Sequence, residues 1–157
     1  MYSTYTFEML IDKGPKIPFT PGRINVGLLN ANPFFKGIAN LGHQAIANYL
    51  IQRDVNVYFG YADTVGKGKF LNGNISPKDC DLITISIPFE DTYLNTLRIL
   101  DNIGFPINAV ERDDSYPIVI GGGMAMINPI PLSPFLDAVI VGEGRESLYQ
   151  IILDLCQ

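Results

Sequence analysis

The chain has 157 residues, 47% of them apolar and 17% charged, with 15 glycines, 11 prolines and a net charge of −5. That length suits one domain with a sizeable core, and the composition excludes a disordered chain. The acidic balance excludes a basic nucleic-acid or membrane-surface footprint, and no apolar run approaches a membrane span.

In chain order, residues 1–22 are aromatic and then rich in Pro and Gly, and read as an N-terminal arm. A first core strand runs from Ile24 to Leu29 and breaks at Asn30-Ala31-Asn32-Pro33. A loop through Gly37 leads to a helix from about Asn40 to Gln52, with Leu41, Ala45, Ile46, Tyr49 and Leu50 as its expected buried face. Val55 to Phe59 is the second strand. Residues 60–79 are polar and Gly-rich, long for a connection in a compact domain, and read as mobile or as a functional flap.

The third strand is Leu82 to Ile87. Glu90 and Asp91 then open a helix, acids at its N-terminus as the dipole favours, with Leu94, Leu97, Leu100 and Ile103 on its expected inner face. Gly104 and Pro106 stop it. Pro117 to Ile120 is the fourth strand, running into Gly121-Gly122-Gly123. One helical turn near Ser133 to Leu136 precedes the fifth strand, Ala138 to Val141, which runs into Gly142-Glu143-Gly144. A last helix begins near Glu143. Its periodicity continues to the end of the sequence, consistent with a docked helix or with a domain cut from a longer chain.

Continuous apolar runs read as strands buried on both faces, and their alternation with helices predicts an α/β, flavodoxin-like (Rossmann-like) doubly wound parallel sheet of five strands in the order 2-1-3-4-5. The switch point then lies between Asn30–Pro33 and Ser86–Phe89, on the rim where ligands of such sheets sit. Three consecutive glycines after the fourth strand exceed what a turn requires and suggest close approach to a ligand. Gly142–Gly144 offers free N–H groups at a helix start, which a plain turn explains as well. Ser86 is a hydrogen-bonding group without a partner base in any nucleophile arrangement. Glu90, Asp91 and Glu143 are rim carboxylates or helix caps. His43, the only histidine, is expected to be structural. Lys67 and Lys69 lack the ending of a phosphate loop, and no dinucleotide fingerprint follows strand one. Cys80 and Cys156 form no metal-ligand cluster.

Three segments resemble the cobalamin-binding (B12-binding) domain found at the N-terminus of radical SAM proteins. They are Arg23–Val26 leading to Ala39–Ala45, then Asp81–Glu90 with Tyr93-Leu94-Asn95, then Tyr116 through Glu146. The likeness covers residues 23 to about 155, and 23–157 is taken as the domain. Cobalamin domains with a histidine ligand carry Asp-x-His-x-x-Gly after strand one, then Ser-x-Leu, then Gly-Gly. Laid on that pattern, Gly42 takes the glycine, Gly37 the aspartate and Ala39 the histidine, while Ser86 takes the serine and Gly121-Gly122 the glycine pair. The axial ligand is therefore absent, and His43 is not its equivalent. Radical SAM relatives without that histidine are thought to bind cobalamin all the same.

The resemblance implies cofactor-binding residues at Asn30, Gly37, Ala39, Gly42, Ser86, Ile87, Gly121, Gly122, Gly123, Gly142, Glu143 and Gly144, with no catalytic and no metal-ligating residue. Ser86 would hydrogen-bond the base of the cobalamin tail. The glycines would leave it space, and small residues at Gly37 and Ala39 would leave the lower face of cobalt uncrowded. The expected partner is a C-terminal radical SAM catalytic domain. Iron–sulfur (4Fe-4S) and S-adenosylmethionine (SAM) chemistry would belong to that longer parent, since this chain lacks the Cys-x-x-x-Cys-x-x-Cys motif. Two alternatives stay open: a cofactor-free scaffold of the same family, and a flavodoxin-like binder of another small molecule. The expected location is cytoplasmic.

Overall fold

The structure is a computed structural model and describes residues 19–65 and 70–155. The strands are β1 (Asn25–Asn30), β2 (Asn56–Tyr61), β3 (Leu82–Ser86), β4 (Ile118–Gly122) and β5 (Ala138–Ile140). All pair in parallel, in the order β2-β1-β3-β4-β5. The helices are α1 (Phe34–Gly37), α2 (Leu41–Ile51), α3 (Tyr93–Asn102) and α4 (Gly144–Leu155). The expected fold class and strand order are those observed. The strands stay parallel because their connections cross over the sheet, and their runs of Val, Ile and Leu suit burial between two layers.

Side chains alternate between the two faces of the sheet. Val26, Leu28, Val57, Leu82 and Ile120 meet Ala47 and Leu50 of α2 and Leu148 and Ile152 of α4. Leu29, Ile83, Ile85 and Val119 meet Ile99 and Leu100 of α3 on the opposite face. Among the described residues of the β2–β3 crossover there is no α-helix. In place of one, Val65 and Phe70 are buried against that second face. Gly27 makes room for Phe70, since a Cβ there would sit 2.9 Å from its ring.

Residues 60–79 are accordingly no free flap where they are described. The Asn72 side chain donates to the Val57 carbonyl and accepts from the Phe59 N–H, at 2.8 and 2.7 Å. Leu71 N–H adds a bond to the Phe59 carbonyl. Together they seal the outer edge of β2, which would otherwise expose unpaired backbone groups. Lys67, Lys69, Cys156 and most of the N-terminal arm (residues 1–18) lie outside the described residues.

Two helix faces differ from the sequence expectation. In α2 the buried residues are His43, Ala47 and Leu50, while Leu41 is 78% exposed and Ala45 is exposed. Asn40 caps this helix by accepting the His43 N–H at 3.0 Å, which fixes its start and hence its rotation. In α3, Thr96, Ile99 and Leu100 face the sheet and Leu94 faces out. A 3₁₀ turn at Glu90–Thr92 delays the α-helix to Tyr93 and shifts the face. Gly104, at φ +75°, ends the helix in the left-handed conformation as expected.

β5 is not buried on both faces: it is a three-residue edge strand with Ala138 exposed and Val139 and Ile140 half-buried. Before it, the chain forms 3₁₀ turns at Met124–Ile127 and Ile130–Leu132. The Arg112 side chain ties this connection down. It donates to the Pro106, Ile107 and Phe135 carbonyls and pairs with Asp137 at 3.0 Å. No described helix is long and apolar enough to cross a membrane.

Candidate functional site

At the C-terminal ends of the strands, Asn30 of β1, Ser86 of β3, Gly122 of β4 and Ile140 of β5 stand in one row across the sheet. Alternation turns this row toward α2 and α4. The row below it is Leu28, Thr84, Ile120 and Ala138. Over these rows a cleft of about 580 Å³ opens between α2 and α4, which meet beside it where Ile46 approaches Gly144. Its floor includes Thr84, Ser86, Ile120 and Gly122. Leu41, Ala45 and Ile46 form the α2 wall, and Gly144, Arg145 and Leu148 the α4 wall. Leu41 and Ala45, which α2 leaves outside the core, are therefore part of the wall of this cleft, and Ile46 joins the wall to the core.

The cleft exists because side chains are small where the sheet meets it. A Cβ on Gly122 would have the Ile140 carbonyl oxygen at 3.9 Å as its nearest neighbour, so that position opens into free space. Gly121 points to the other face, where a Cβ would strike the Leu136 side chain at 2.5 Å. Gly123 has φ +114°, and a Cβ there would lie 2.6 Å from the Ile87 carbonyl oxygen. Of the three glycines, one opens space in the cleft and two permit packing on the far side. Gly142, at φ +105°, makes the turn from β5 into α4.

Polar groups in the cleft are few. The Ser86 hydroxyl takes part in no hydrogen bond among the described residues. The Thr84 hydroxyl donates to the Gly27 carbonyl at 3.3 Å. At the mouth, Glu143 accepts the Arg145 side chain at 2.7 Å and the backbone N–H groups of Arg145 and Glu146 at 3.0 and 3.4 Å. Those hydrogen bonds hold the Glu143 carboxyl below its ordinary range, the Arg145 side chain contributing most. They also occupy two of the amides at the start of α4. The helix start thus carries its own carboxylate, in the manner of a cap.

Eight of the residues singled out in the sequence line this one cleft: Gly42, Ser86, Gly121, Gly122, Gly123, Gly142, Glu143 and Gly144. Ala39 lies beside it, in a second depression on the rim lined by Asn32, Lys36, Asn40, Pro88, Phe89 and Asp91. Asn40 and Pro88 belong to both walls, so the two hollows adjoin. Asn30, Gly37 and Ile87 do not line the cleft. Asn30 is fully buried, its Oδ1 accepting the Asn32 N–H, and Gly37 fits α1 against the Tyr61 ring. The Ile87 side chain is in the core, and its carbonyl accepts the Ala125 N–H.

His43 lies outside both hollows. It is 1% exposed, packs against the Phe59 and Tyr61 rings, and has no hydrogen-bond partner at either ring nitrogen. Burial pulls its pKa down from 6.5 to about 4, so the ring is neutral near pH 7. Among the described residues, no group of three or more His, Cys, Asp and Glu is placed to hold a metal ion. Sequence reasoning missed Thr84, Leu148 and the α2 wall. The signal for the wall was available in part: Leu41 and Ala45 lie on the arc of the helix away from Ala47 and Leu50, while Ile46 sits at the seam between core and cleft.

Comparison with known proteins adds a family. Residues 70–157 match the family described as radical SAM proteins, N-terminal. An uncharacterized protein of Methanocaldococcus jannaschii is 29% identical over 131 residues, which is 82% of this chain and 26% of that protein. The chain thus spans about a quarter of the length of that relative. No solved structure matches.

Proposed function

Because the chain belongs to the family of N-terminal regions of radical SAM proteins, we propose that it is the cobalamin-holding domain of a longer enzyme whose catalytic domain cleaves S-adenosylmethionine. The observation that carries this reading is the pairing of Ser86 with Gly122 on the floor of an open cleft between α2 and α4. A cobalamin tail is a flat base on a ribose phosphate, and it needs a narrow slot along the sheet. Gly122 supplies a cradle that a Cβ would begin to fill, and Ser86 supplies an uncommitted hydroxyl beside it. The adjoining depression, with Ala39 in its wall, would lie under the corrin ring.

In this reading the residues bind and orient and do no proton transfer of their own. Ser86 would donate to the ring nitrogen of the tail base, and the apolar walls would exclude water from the base. Cobalamin would supply a cobalt centre able to carry a methyl group to the parent's substrate site. With Ala39 where the resemblance places a histidine, and His43 enclosed by aromatic rings, neither residue would ligate the metal.

Mixing the purified chain with hydroxocobalamin, desalting, and reading the corrin absorbance tests the proposal. Retention near one equivalent is expected, and Gly122→Leu should abolish it while the chain stays folded. No retention in either cobalt redox state would overturn it.

A second reading is favoured by one separate observation. Phe35, Leu41, Phe89, Met124, Ile127 and Ile130 are all large and exposed, and all follow strand ends on the same rim. The loop that carries Met124 and Ile127 is held firmly, since Tyr93 donates to the Ala125 carbonyl and Ala125 N–H to the Ile87 carbonyl. Such a rim suits docking of an apolar face of the catalytic domain, with or without a cofactor between them.

A further inference from the structure

We infer that the cleft selects among corrinoid tails by their base, accepting a benzimidazole and disfavouring a purine. This rests on the cobalamin reading above and specifies its ligand. Inside the mouth the side chains offered to a base are mostly hydrocarbon, with Leu28 and Ile120 below and Ile46 and Leu148 on the sides, and Asn40, whose Oδ1 caps α2, stands at the edge. Two side-chain hydroxyls interrupt them. The Thr84 proton is directed to the Gly27 carbonyl, which leaves the Ser86 hydroxyl as the uncommitted donor on the floor. The ionic pair at the mouth, Glu143 with Arg145, is exposed and satisfied internally.

The two base classes make different demands on such a slot. A benzimidazole joined to its ribose has one remaining ring nitrogen, an acceptor, and the rest of it is hydrocarbon. One Ser86 O–H satisfies it. An adenine adds two further ring acceptors and an amino group with two hydrogens to donate. The Thr84 and Ser86 oxygens together match only part of that set, and each unmatched polar atom loses its water without replacement. An apolar pocket that leaves a ligand's added polar groups unpaired rejects it by a moderate factor, roughly ten- to a hundredfold, and added hydrocarbon that fits is not penalised. The benzimidazole methyl groups therefore cost nothing here, while the purine edge does.

Equilibrium dialysis of the 157-residue chain against three corrinoids tests this: cobalamin, its analogue with adenine as the tail base, and cobinamide, which has no tail. Cobalamin should bind at least about tenfold more tightly than the adenine analogue, equivalent to about 1.4 kcal/mol. Cobinamide should bind more weakly than cobalamin, and Ser86→Ala should weaken both base-bearing corrinoids while leaving the gap between them, since the ring nitrogen it serves is common to both. Equal or tighter binding of the adenine analogue, with cobinamide still weak, would overturn the base selectivity and leave the cobalamin reading standing. Cobinamide binding as tightly as cobalamin would remove the tail from the cleft and the selectivity with it. Failure of all three corrinoids to bind would overturn the underlying reading and the inference together.

Discussion

The two faces of the sheet use the same small residues to opposite ends. On the α3 face, the missing Cβ atoms of Gly27, Gly121 and Gly123 are places that neighbours fill, and the layer closes although the described residues of one crossover form no α-helix. On the α2–α4 face, Gly122 leaves space that no neighbour takes, and a cleft results. Gly121 and Gly122 are adjacent in sequence and identical in chemistry. They differ because alternation along β4 sends one toward Leu136 and the other toward the gap between two helices. A glycine is therefore a ligand-site signal only when the volume it vacates stays empty.

The largest effect that separates the faces is expected at Gly123→Ala. The new Cβ would meet the Ile87 carbonyl oxygen at 2.6 Å in a backbone conformation at φ +114° that alanine rarely adopts. Roughly 3 kcal/mol or more should be lost, measured as a lower urea midpoint with an unchanged slope. An equal stability for wild type and variant would mean the closed face is looser than its contacts imply.

An effect of similar size is expected from pH, on the closed part of the cleft-bearing face. His43 has a folded-state pKa of about 4 against 6.5 when unfolded, because burial disfavours its charge. Protonation therefore favours the unfolded chain. The contribution is fully present above pH 6.5 and is lost as pH falls from 6.5 toward 4, on the order of 3 kcal/mol in all. Urea titrations across that window should show the slope in wild type and a flattened one in His43→Leu. A slope that persists in the variant would assign it to other groups.

The smallest effects form the sharpest contrast. Gly121→Ala should cost about 1–2 kcal/mol, because its Cβ meets the end of a side chain that can partly yield. Gly122→Ala should lie within about 0.5 kcal/mol of wild type, since the cleft receives the methyl group. Thermal melts of the pair read this directly. If both variants melt alike, the two faces do not differ at this row and the cleft is smaller than its walls suggest.

Much of this was legible in the chain. Five apolar runs, each ending in a turn residue, marked the five strands, because an apolar run bounded by turn residues needs no partner information to be recognised. The fifth proved to be a half-buried edge strand. Eight of the twelve proposed binding positions turned out to line one cleft because strand ends of a parallel sheet share a rim. Asn30, Gly37 and Ile87 went elsewhere for reasons that no strand pattern contains: Gly37 packs α1 onto the Tyr61 ring and Asn30, and Ile87 points into the core.

Sequence by itself determined the strands, their shared rim and the chemical types available on it, since those follow from local periodicity and the direction of a parallel sheet. The strand order came from the commonest topology of five such units. Tertiary structure alone decided which glycine faces a void and that Val65 and Phe70 of the β2–β3 crossover pack as part of a layer. It also set the face of α2 that is core and the face that is cleft wall. Those depend on the rotation of a helix about its axis and on volumes filled by residues distant in sequence, such as Leu136 against Gly121 and Phe70 against Gly27. Close packing is a property of the assembled layers, and no window of sequence contains it.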